Sequence, residues 1–158
     1  MNEELKKIVI PNEILLGRVS ELLAEGKEVT INTKGNSMLP FIIGERDTVT
    51  LKKSDSPAVG DIVLAEIAPG RYVLHRIFAI DGDRVTLMGD GNLKGTETCK
   101  QGRIAGTVIA ITSPEGKEKK LSRGRIWRAI RPVRRYLLFI FKRLKGIKNI
   151  TRTEYENN

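Results

Sequence analysis

A serine in a turn rich in glycine and proline is the first residue of this chain whose setting suits covalent chemistry. Residues 35–40 (GNSMLP) interrupt a strand-like pattern immediately before the apolar residues 41–43. The hydroxyl of Ser37, projecting from such a turn, could act as a nucleophile. It could equally satisfy neighbouring backbone groups, which is the common use of serine in turns. The turn alone leaves both interpretations open.

The only histidine of the chain lies within a predicted strand. Alternation places His75 on the same strand face as Val73 and Ile77. A neutral imidazole accepts protons near neutral pH and is a common general base. A histidine on an apolar face is also commonly a hydrogen-bonded core residue. Its role therefore stays open at this point.

An aspartate between two glycines follows a later strand. Asp90 lies in residues 88–92 (MGDGN). Its carboxylate could accept backbone N–H groups within the turn. As the third member of a catalytic set, it could instead orient an imidazole and stabilise the cationic ring.

The elements that must position these three residues are one helix and a series of strands. Helical spacing of apolar residues between Pro11 and Gly26 predicts a helix over Asn12–Glu25. A period of two then predicts six strands, within residues 28–33, 47–53, 61–68, 72–80, 84–88 and 103–112. No helical pattern separates the strands, which favours antiparallel pairing. The predicted fold is mainly β, with an N-terminal helix and a C-terminal amphipathic basic helix.

Length and composition favour one domain with an appendage. The chain has 158 residues, of which 40% are hydrophobic and 30% charged. We expect a β domain with its helix over residues 1–120 and a basic tail over residues 121–158. The longest stretches without Asp, Glu, Lys or Arg are residues 35–44 and 104–114, too short to cross a bilayer. Residues 1–9 also lack the order of a secretory signal, so neither a transmembrane helix nor a signal peptide is expected.

Cysteine content limits the possible chemistry. Cys99 is the only cysteine, which excludes an internal disulfide framework and a zinc site built from cysteines. We expect no metal and no other cofactor.

The positive charge of the chain is concentrated in the tail. The formal net charge is +9, and residues 123–148 contain ten Lys or Arg and no acid. Apolar residues recur there in steps of four and three, while Pro132 predicts two helical pieces. This combination favours a helix lying in the surface of an anionic membrane over a terminal helix packed on the core. Nucleic-acid binding is the least favoured interpretation, and we expect the β core to fold without the tail.

Four short motifs, taken in order, resemble the signature of the signal peptidase I and LexA-type serine peptidase superfamily. They are Gly35-x-Ser37-Met38-x-Pro40, Gly60-Asp61, His75-Arg76 and Gly89-Asp90-Gly91-Asn92. In that superfamily, bacterial signal peptidases and LexA-type repressors use a lysine base. The endoplasmic-reticulum, archaeal and SipW-like signal peptidases have histidine followed by arginine. The sequence is therefore similar to the histidine branch, and the resemblance implies a signal peptidase-like β core.

The resemblance also implies roles for individual residues. Ser37 would be the nucleophile, His75 the general base and Asp90 the orienting carboxylate. Substrate contacts would come from the serine motif, at Gly35, Asn36, Met38 and Pro40. The implied activity is cleavage of leader or signal peptides with small residues before the cut, bound along a strand edge near residues 38–42. The resemblance implies a peptide or precursor protein as partner. The pattern of the tail adds an anionic membrane surface, contacted through residues 123–148.

Two departures from the family pattern bear on this function. Gly35 stands where typical signal peptidases offer a serine hydroxyl. Acids that follow the Gly-Asp motif in the endoplasmic-reticulum enzymes are replaced by Gly95 and Thr96, with Glu97 one residue further on. The alternative hypothesis is therefore a non-catalytic adaptor that keeps the fold and binds peptides. In either case we expect a peripheral protein at the cytoplasmic face of a membrane.

Overall fold

The helices and strands follow the predicted order, with two additional short strands. The structure is a computed structural model that describes residues 12–121, 123–130 and 133–155, with side chains of the last helix described as far as Leu144. The helices are α1 (Asn12–Ala24), α2 (Arg125–Ala129) and α3 (Arg134–Tyr155). The strands are β1 (Val29–Asn32), β2 (Thr48–Lys52), β3 (Ile62–Ala68), β4 (Arg71–Asp81), β5 (Arg84–Met88), β6 (Glu97–Lys100), β7 (Ile104–Thr112) and β8 (Glu118–Lys119).

The strands of the described residues form one antiparallel sheet. Its order is β1-β2-β7-β3-β4-β5-β6, and β8 pairs with β7. The mainly antiparallel β fold with a helix at each end of the chain is thereby confirmed. Strands β6 and β8 were not predicted, because they contain four and two residues and lack a clear apolar alternation.

Two apolar clusters form the centre of the domain. Helix α1 covers the first cluster with Val19 and Leu23, which pack against residues of β2, β3 and β7. Gly106 allows this close approach, since a Cβ there would lie 3.0 Å from a methyl group of Leu23. The second cluster lies between β3, β4 and β5 and is centred on Val63 and Ile77. Strand β4, which carries His75, pairs with β3 along its first half and with β5 from Arg76 onward.

A buried carboxylate anchors the segment between β1 and β2, which contains the serine turn. Asp47 accepts hydrogen bonds from the Ile43 amide at 2.8 Å and from Arg46 Nε at 2.9 Å, and it also pairs with Lys119. Burial alone would raise the pKa of Asp47. The hydrogen bonds from Arg46, Lys119 and Ile43 together outweigh this effect, so the pKa of Asp47 lies below its ordinary value. The segment is thus tied to strand β8.

The C-terminal segment packs one side against the domain and leaves another exposed. Trp127 of α2 and Leu138 of α3 are buried in a cluster with Leu39 and Ile43. The tail therefore contacts the domain, and removing these side chains would expose apolar surface. That the β core folds without the tail stays a prediction. Most of the predicted apolar stripe remains exposed, namely Ile126, Val133, Leu137, Ile140 and Leu144. Ile147 of that stripe lies outside the described side chains.

None of the described helices is both long enough and apolar enough to span a membrane.

Replacing Asp47 by Asn should make stability less dependent on pH. Because the pKa of Asp47 is lowered on folding, its stabilising contribution is present above the unfolded-state value of about 3.9 and is lost as the pH falls through the folded-state value. We expect the Asp47→Asn variant to lose about 1–3 kcal/mol of unfolding free energy at pH 7 and much less at pH 2–3. Urea unfolding at several pH values measures this difference.

The exposed Asp55, in the turn after β2, provides the control. An Asp55→Asn variant should follow the wild-type pH profile within about 0.5 kcal/mol. A constant difference between Asp47→Asn and wild type at all pH values would contradict the role assigned to the Asp47 carboxylate.

Candidate active site

The serine turn is held by close backbone packing. Gly35 has a φ of +76°, a conformation that side chains disfavour. A Cβ on Gly44 would lie 2.0 Å from the carbonyl oxygen of Gly35, so the two backbones lie directly against each other. Ser37 is half-buried, and Met38 after it is buried. The turn therefore presents the serine from a backbone that has little room to move.

The residues after the serine form helical turns and not a strand edge. The amides of Phe41 and Ile42 both donate to the carbonyl of Met38, at 3.1 and 3.0 Å. Their amides are thus already bonded within the turn. The expectation that an extended substrate pairs near residues 38–42 is corrected for this reason.

The histidine lies in the middle of β4 and has a carboxylate on one ring nitrogen. His75 is 5% exposed and pairs in register with Val63 of β3. Its Nδ1 lies 2.9 Å from Oε2 of Glu97. An ionised carboxylate only accepts hydrogen bonds, so Nδ1 carries the proton of the neutral ring. The other nitrogen, Nε2, is then a proton acceptor.

The carboxylate that contacts the histidine is not the one the sequence motif suggested. Glu97 is the first residue of β6 and pairs in register with Leu87 of β5. The resemblance implied Asp90 as the orienting carboxylate, whereas the structure places Glu97 on the ring. In the sequence, Glu97 stands out only as an acid displaced by one residue from the family pattern. Because apolar alternation does not mark β6, no further sequence signal points to Glu97.

Asp90 instead forms a buried ion pair with the arginine that follows the histidine. Arg76 donates from Nε at 2.9 Å and from Nη2 at 2.6 Å to the two carboxylate oxygens of Asp90. Its Nη1 donates to the carbonyl of Gly60 at 2.7 Å. Both charged side chains are 3% exposed. Because neighbouring residues of a strand point to opposite faces, Arg76 points away from the ring of His75.

The loop that carries Asp90 packs directly on the serine turn. The amide of Gly91 donates to the carbonyl of Ser37 at 2.7 Å. A Cβ on Gly89 would lie 2.4 Å from that same carbonyl oxygen and 3.1 Å from Nε2 of His75. A Cβ on Gly91 would lie 2.4 Å from the carbonyl oxygen of Asn36. Both glycines are therefore required for the loop to bring the serine turn beside the free nitrogen of the histidine.

Ser37 and His75 open onto the same cavity. It has a volume of about 540 Å³ and lies between α1, β1 and the first half of β4. Two of the residues expected to contact substrate, Gly35 and Met38, also line it. The other two do not: Asn36 packs on the loop of Asp90, and Pro40 lines a separate cavity of about 220 Å³.

This arrangement contains the parts needed for nucleophilic catalysis. Ser37 and His75 both line one cavity, and the carboxylate of Glu97 contacts Nδ1 of the imidazole. A nucleophile, a base and an orienting acid are the residue types that a serine hydrolase uses.

Fold and site together define a serine peptidase-like domain built on an antiparallel sheet. The model of the family described as Peptidase S24-like matches residues 3–109. The chain belongs to this family. The matched range ends within β7, so β8, α2 and α3 follow it.

Neutralising the two carboxylates should have different effects on stability. Asp90→Asn leaves the buried Arg76 cation without its counter-charge, and we expect a loss of about 3 kcal/mol of unfolding free energy. Glu97→Gln keeps a hydrogen-bonding side chain at a partly exposed position, so we expect a loss below about 1 kcal/mol. Urea unfolding at pH 7 compares them.

The exposed pair of Glu28 and Lys52 supplies the control for charge removal itself. A Glu28→Gln variant should lose no more than about 0.5 kcal/mol. Equal losses of unfolding free energy in the Asp90 and Glu97 variants would contradict the assignment of Asp90 to a structural ion pair and of Glu97 to the candidate active site.

Proposed function

We propose that this protein is a serine endopeptidase that cleaves leader or signal peptides near a membrane surface. The observation that carries the proposal is that Ser37 and His75 line one cavity while Glu97 holds the far nitrogen of the imidazole. Membership of a serine peptidase-like family supports the general class of reaction. The histidine base and the leader-peptide substrate are part of what we propose.

In the acylation step, the hydroxyl of Ser37 attacks the carbonyl carbon of the scissile peptide bond. Nε2 of His75 takes the hydroxyl proton, and Glu97 stabilises the imidazolium that forms. The backbone amide of Ser37 donates to the oxyanion of the tetrahedral intermediate. The C–N bond then breaks, and His75 returns the proton to the leaving amine.

In the deacylation step, water takes the place of the amine. His75 accepts a proton from this water, which attacks the acyl-enzyme carbonyl. Collapse of the second tetrahedral intermediate releases the carboxylate product and returns the proton to Ser37. Gly35 supplies no side-chain donor to the oxyanion, so backbone donors carry this part of the site.

An extended peptide suits the cavity. Strand β1 lies at one end of the strand order, and β4 pairs with β5 only from Arg76 onward. The first half of β4, which lines the cavity, is paired with β3 along its other edge. Addition of a peptide strand beside β1 or β4 would satisfy its backbone groups. Apolar lining by Met38, Leu64 and Ile42 favours apolar side chains before the cut.

The exposed face of α3 supports the membrane part of the proposal. Leu137, Ile140 and Leu144 are each between 43% and 55% exposed on this face. Residues 123–148, which include this part of the helix, contain ten Lys or Arg and no acid. A helix that is apolar on one side and strongly basic around it binds anionic lipid surfaces. We therefore propose an anionic membrane as the partner of this face.

Removing the nucleophile or the base should abolish cleavage. We expect Ser37→Ala and His75→Ala each to reduce turnover of a leader peptide by a factor of at least about 10³, because each removes a member of one catalytic unit. The double variant should be no worse than either single variant, since the effects of such members are not additive. Glu97→Gln should reduce kcat at least tenfold, because the imidazolium loses its partner (about 1.4 kcal/mol). Product formation is measured by mass spectrometry.

A serine-directed acylating inhibitor separates an enzyme from a peptide-binding adaptor. Intact mass should show one adduct on the wild type, none on Ser37→Ala, and an unchanged adduct on Ser56→Ala, which alters an exposed serine after β2. Peptide binding without an adduct or turnover would identify an adaptor and contradict the peptidase.

Membrane binding should depend on the exposed apolar face of α3 as well as on charge. We expect the wild type to sediment with anionic vesicles, less strongly as salt increases, and not with neutral vesicles. The double variant Leu137→Asp and Ile140→Asp should lose binding even at low salt, because its face no longer enters the lipid. Sedimentation with vesicles of each composition measures the bound fraction.

A variant with the same change in net charge as the α3 variant, but made outside the apolar face, provides the control. Replacing the exposed cations Lys117 and Lys120, near β8, by uncharged Gln reduces the net positive charge by two without changing α3. This variant should still bind anionic vesicles. Equal binding by wild type and the α3 variant would contradict the proposed membrane face.

A further inference from the structure

The C-terminal segment contacts both loops that form the candidate active site. We propose that Trp127 and Arg134 are positioning residues, which hold the loop of residues 89–92 against the serine turn and so set the geometry between Ser37 and His75. This inference rests on the proposed peptidase function. It adds to the site two residues that lie beyond the range matched to the family, which ends at residue 109.

Both residues donate to backbone carbonyls of the loop. Nε1 of Trp127 donates to the carbonyl of Asp90 at 3.0 Å, and Nη2 of Arg134 donates to the carbonyl of Asn92. Trp127 is 8% exposed and Arg134 is 4% exposed. Buried hydrogen bonds to successive parts of one loop restrict its backbone, because breaking them would leave polar groups unsatisfied.

The same tryptophan also contacts the segment that follows the serine. Its ring meets that of Phe41 edge to face, with centroids 5.6 Å apart and planes at 90°. The guanidinium carbon of Arg134 lies 5.5 Å from the centroid of the indole ring. The indole is thus fixed between the residues after the serine turn and the loop of Asp90.

The loop passes this restraint to the site through two contacts. The Gly91 amide donates to the Ser37 carbonyl, and Gly89 lies against both that carbonyl and Nε2 of His75. A shift of the loop therefore changes the position of Ser37 relative to the ring. Small errors in such a geometry reduce catalysis strongly.

The ion pair of Asp90 does not replace this restraint. Arg76 fixes the carboxylate of Asp90, whereas Trp127 and Arg134 fix backbone carbonyls. The tail also packs on the arginine, since a Cβ on Gly124 would lie 3.0 Å from the guanidinium carbon of Arg76. Side chain and backbone of the loop are therefore held by different groups.

Conservative variants of the full-length protein test the proposal. Trp127→Phe keeps an aromatic ring beside Phe41 but removes the donor to the Asp90 carbonyl. Arg134→Met keeps chain length and removes the donor to the Asn92 carbonyl. We expect each to reduce kcat for a leader peptide about tenfold, with KM changed less than twofold.

Leu138→Ala is the matched control. Leu138 is buried in the same cluster as Trp127 but has no polar side-chain atom with which to hold the loop. It should lower Tm at least as much as Trp127→Phe and leave kcat within twofold of wild type, at a temperature where all variants are folded. A parallel loss of kcat and Tm in all three variants would show a merely structural role and overturn the proposal.

The single histidine gives a second readout that needs no turnover. Side-chain imidazole NMR signals of a folded protein report His75 alone, because the chain has one histidine. Trp127→Phe and Arg134→Met should shift these signals, whereas Leu138→Ala should not. Unchanged signals with unchanged kcat would overturn the positioning role. Absence of Ser37-dependent cleavage in the wild type would overturn the peptidase function. The NMR shifts would still decide whether Trp127 and Arg134 position the histidine.

Discussion

The buried ion pair between Arg76 and Asp90 is the interaction on which the rest of the site depends. Removing both charges from water costs several kcal/mol per ion, and only a close, well-directed pairing offsets that cost. The guanidinium satisfies this condition with two donors to the carboxylate and a third to the Gly60 carbonyl. Its geometry fixes the start of the loop that contacts Ser37, and the adjacent residue of the strand is His75.

The regular part of this fold could be predicted because apolar alternation and turn residues mark it. The helix over residues 12–24 and the strands that carry His75 and precede Asp90 follow such patterns. The partner of the imidazole could not be predicted in the same way. Glu97 lies in a four-residue strand with alternating exposure, and its contact with His75 joins β6 to β4, two strands that are not neighbours in the sheet order. A motif fixes the order of residues along the chain, not which carboxylate reaches the ring.

The tail shows a second limit of sequence patterns. Periodicity predicts one apolar stripe, for which membrane binding and packing on the core are alternative interpretations. The structure divides the apolar residues between two surfaces: Trp127, Leu138 and partly buried Phe141 pack inward, while Leu137 and Ile140 remain exposed. A helix that is apolar on more than one side offers several possible buried faces. Which face is covered depends on the shape of the domain, here the apolar surface after the serine turn.

Because one side of α3 contacts the loop of Asp90 and another side is exposed, binding at the exposed side is coupled to the position of that loop. Helix α3 carries Arg134, which contacts the loop of Asp90, on its buried side and Leu137 with Ile140 on its exposed side. A ligand shifts a conformational equilibrium only by its difference in affinity for the two states. A surface that binds α3 more tightly when Arg134 is bonded to the carbonyl of Asn92 therefore also stabilises the loop beside Ser37. By the same linkage, a substrate that requires the ordered loop increases the affinity of α3 for that surface.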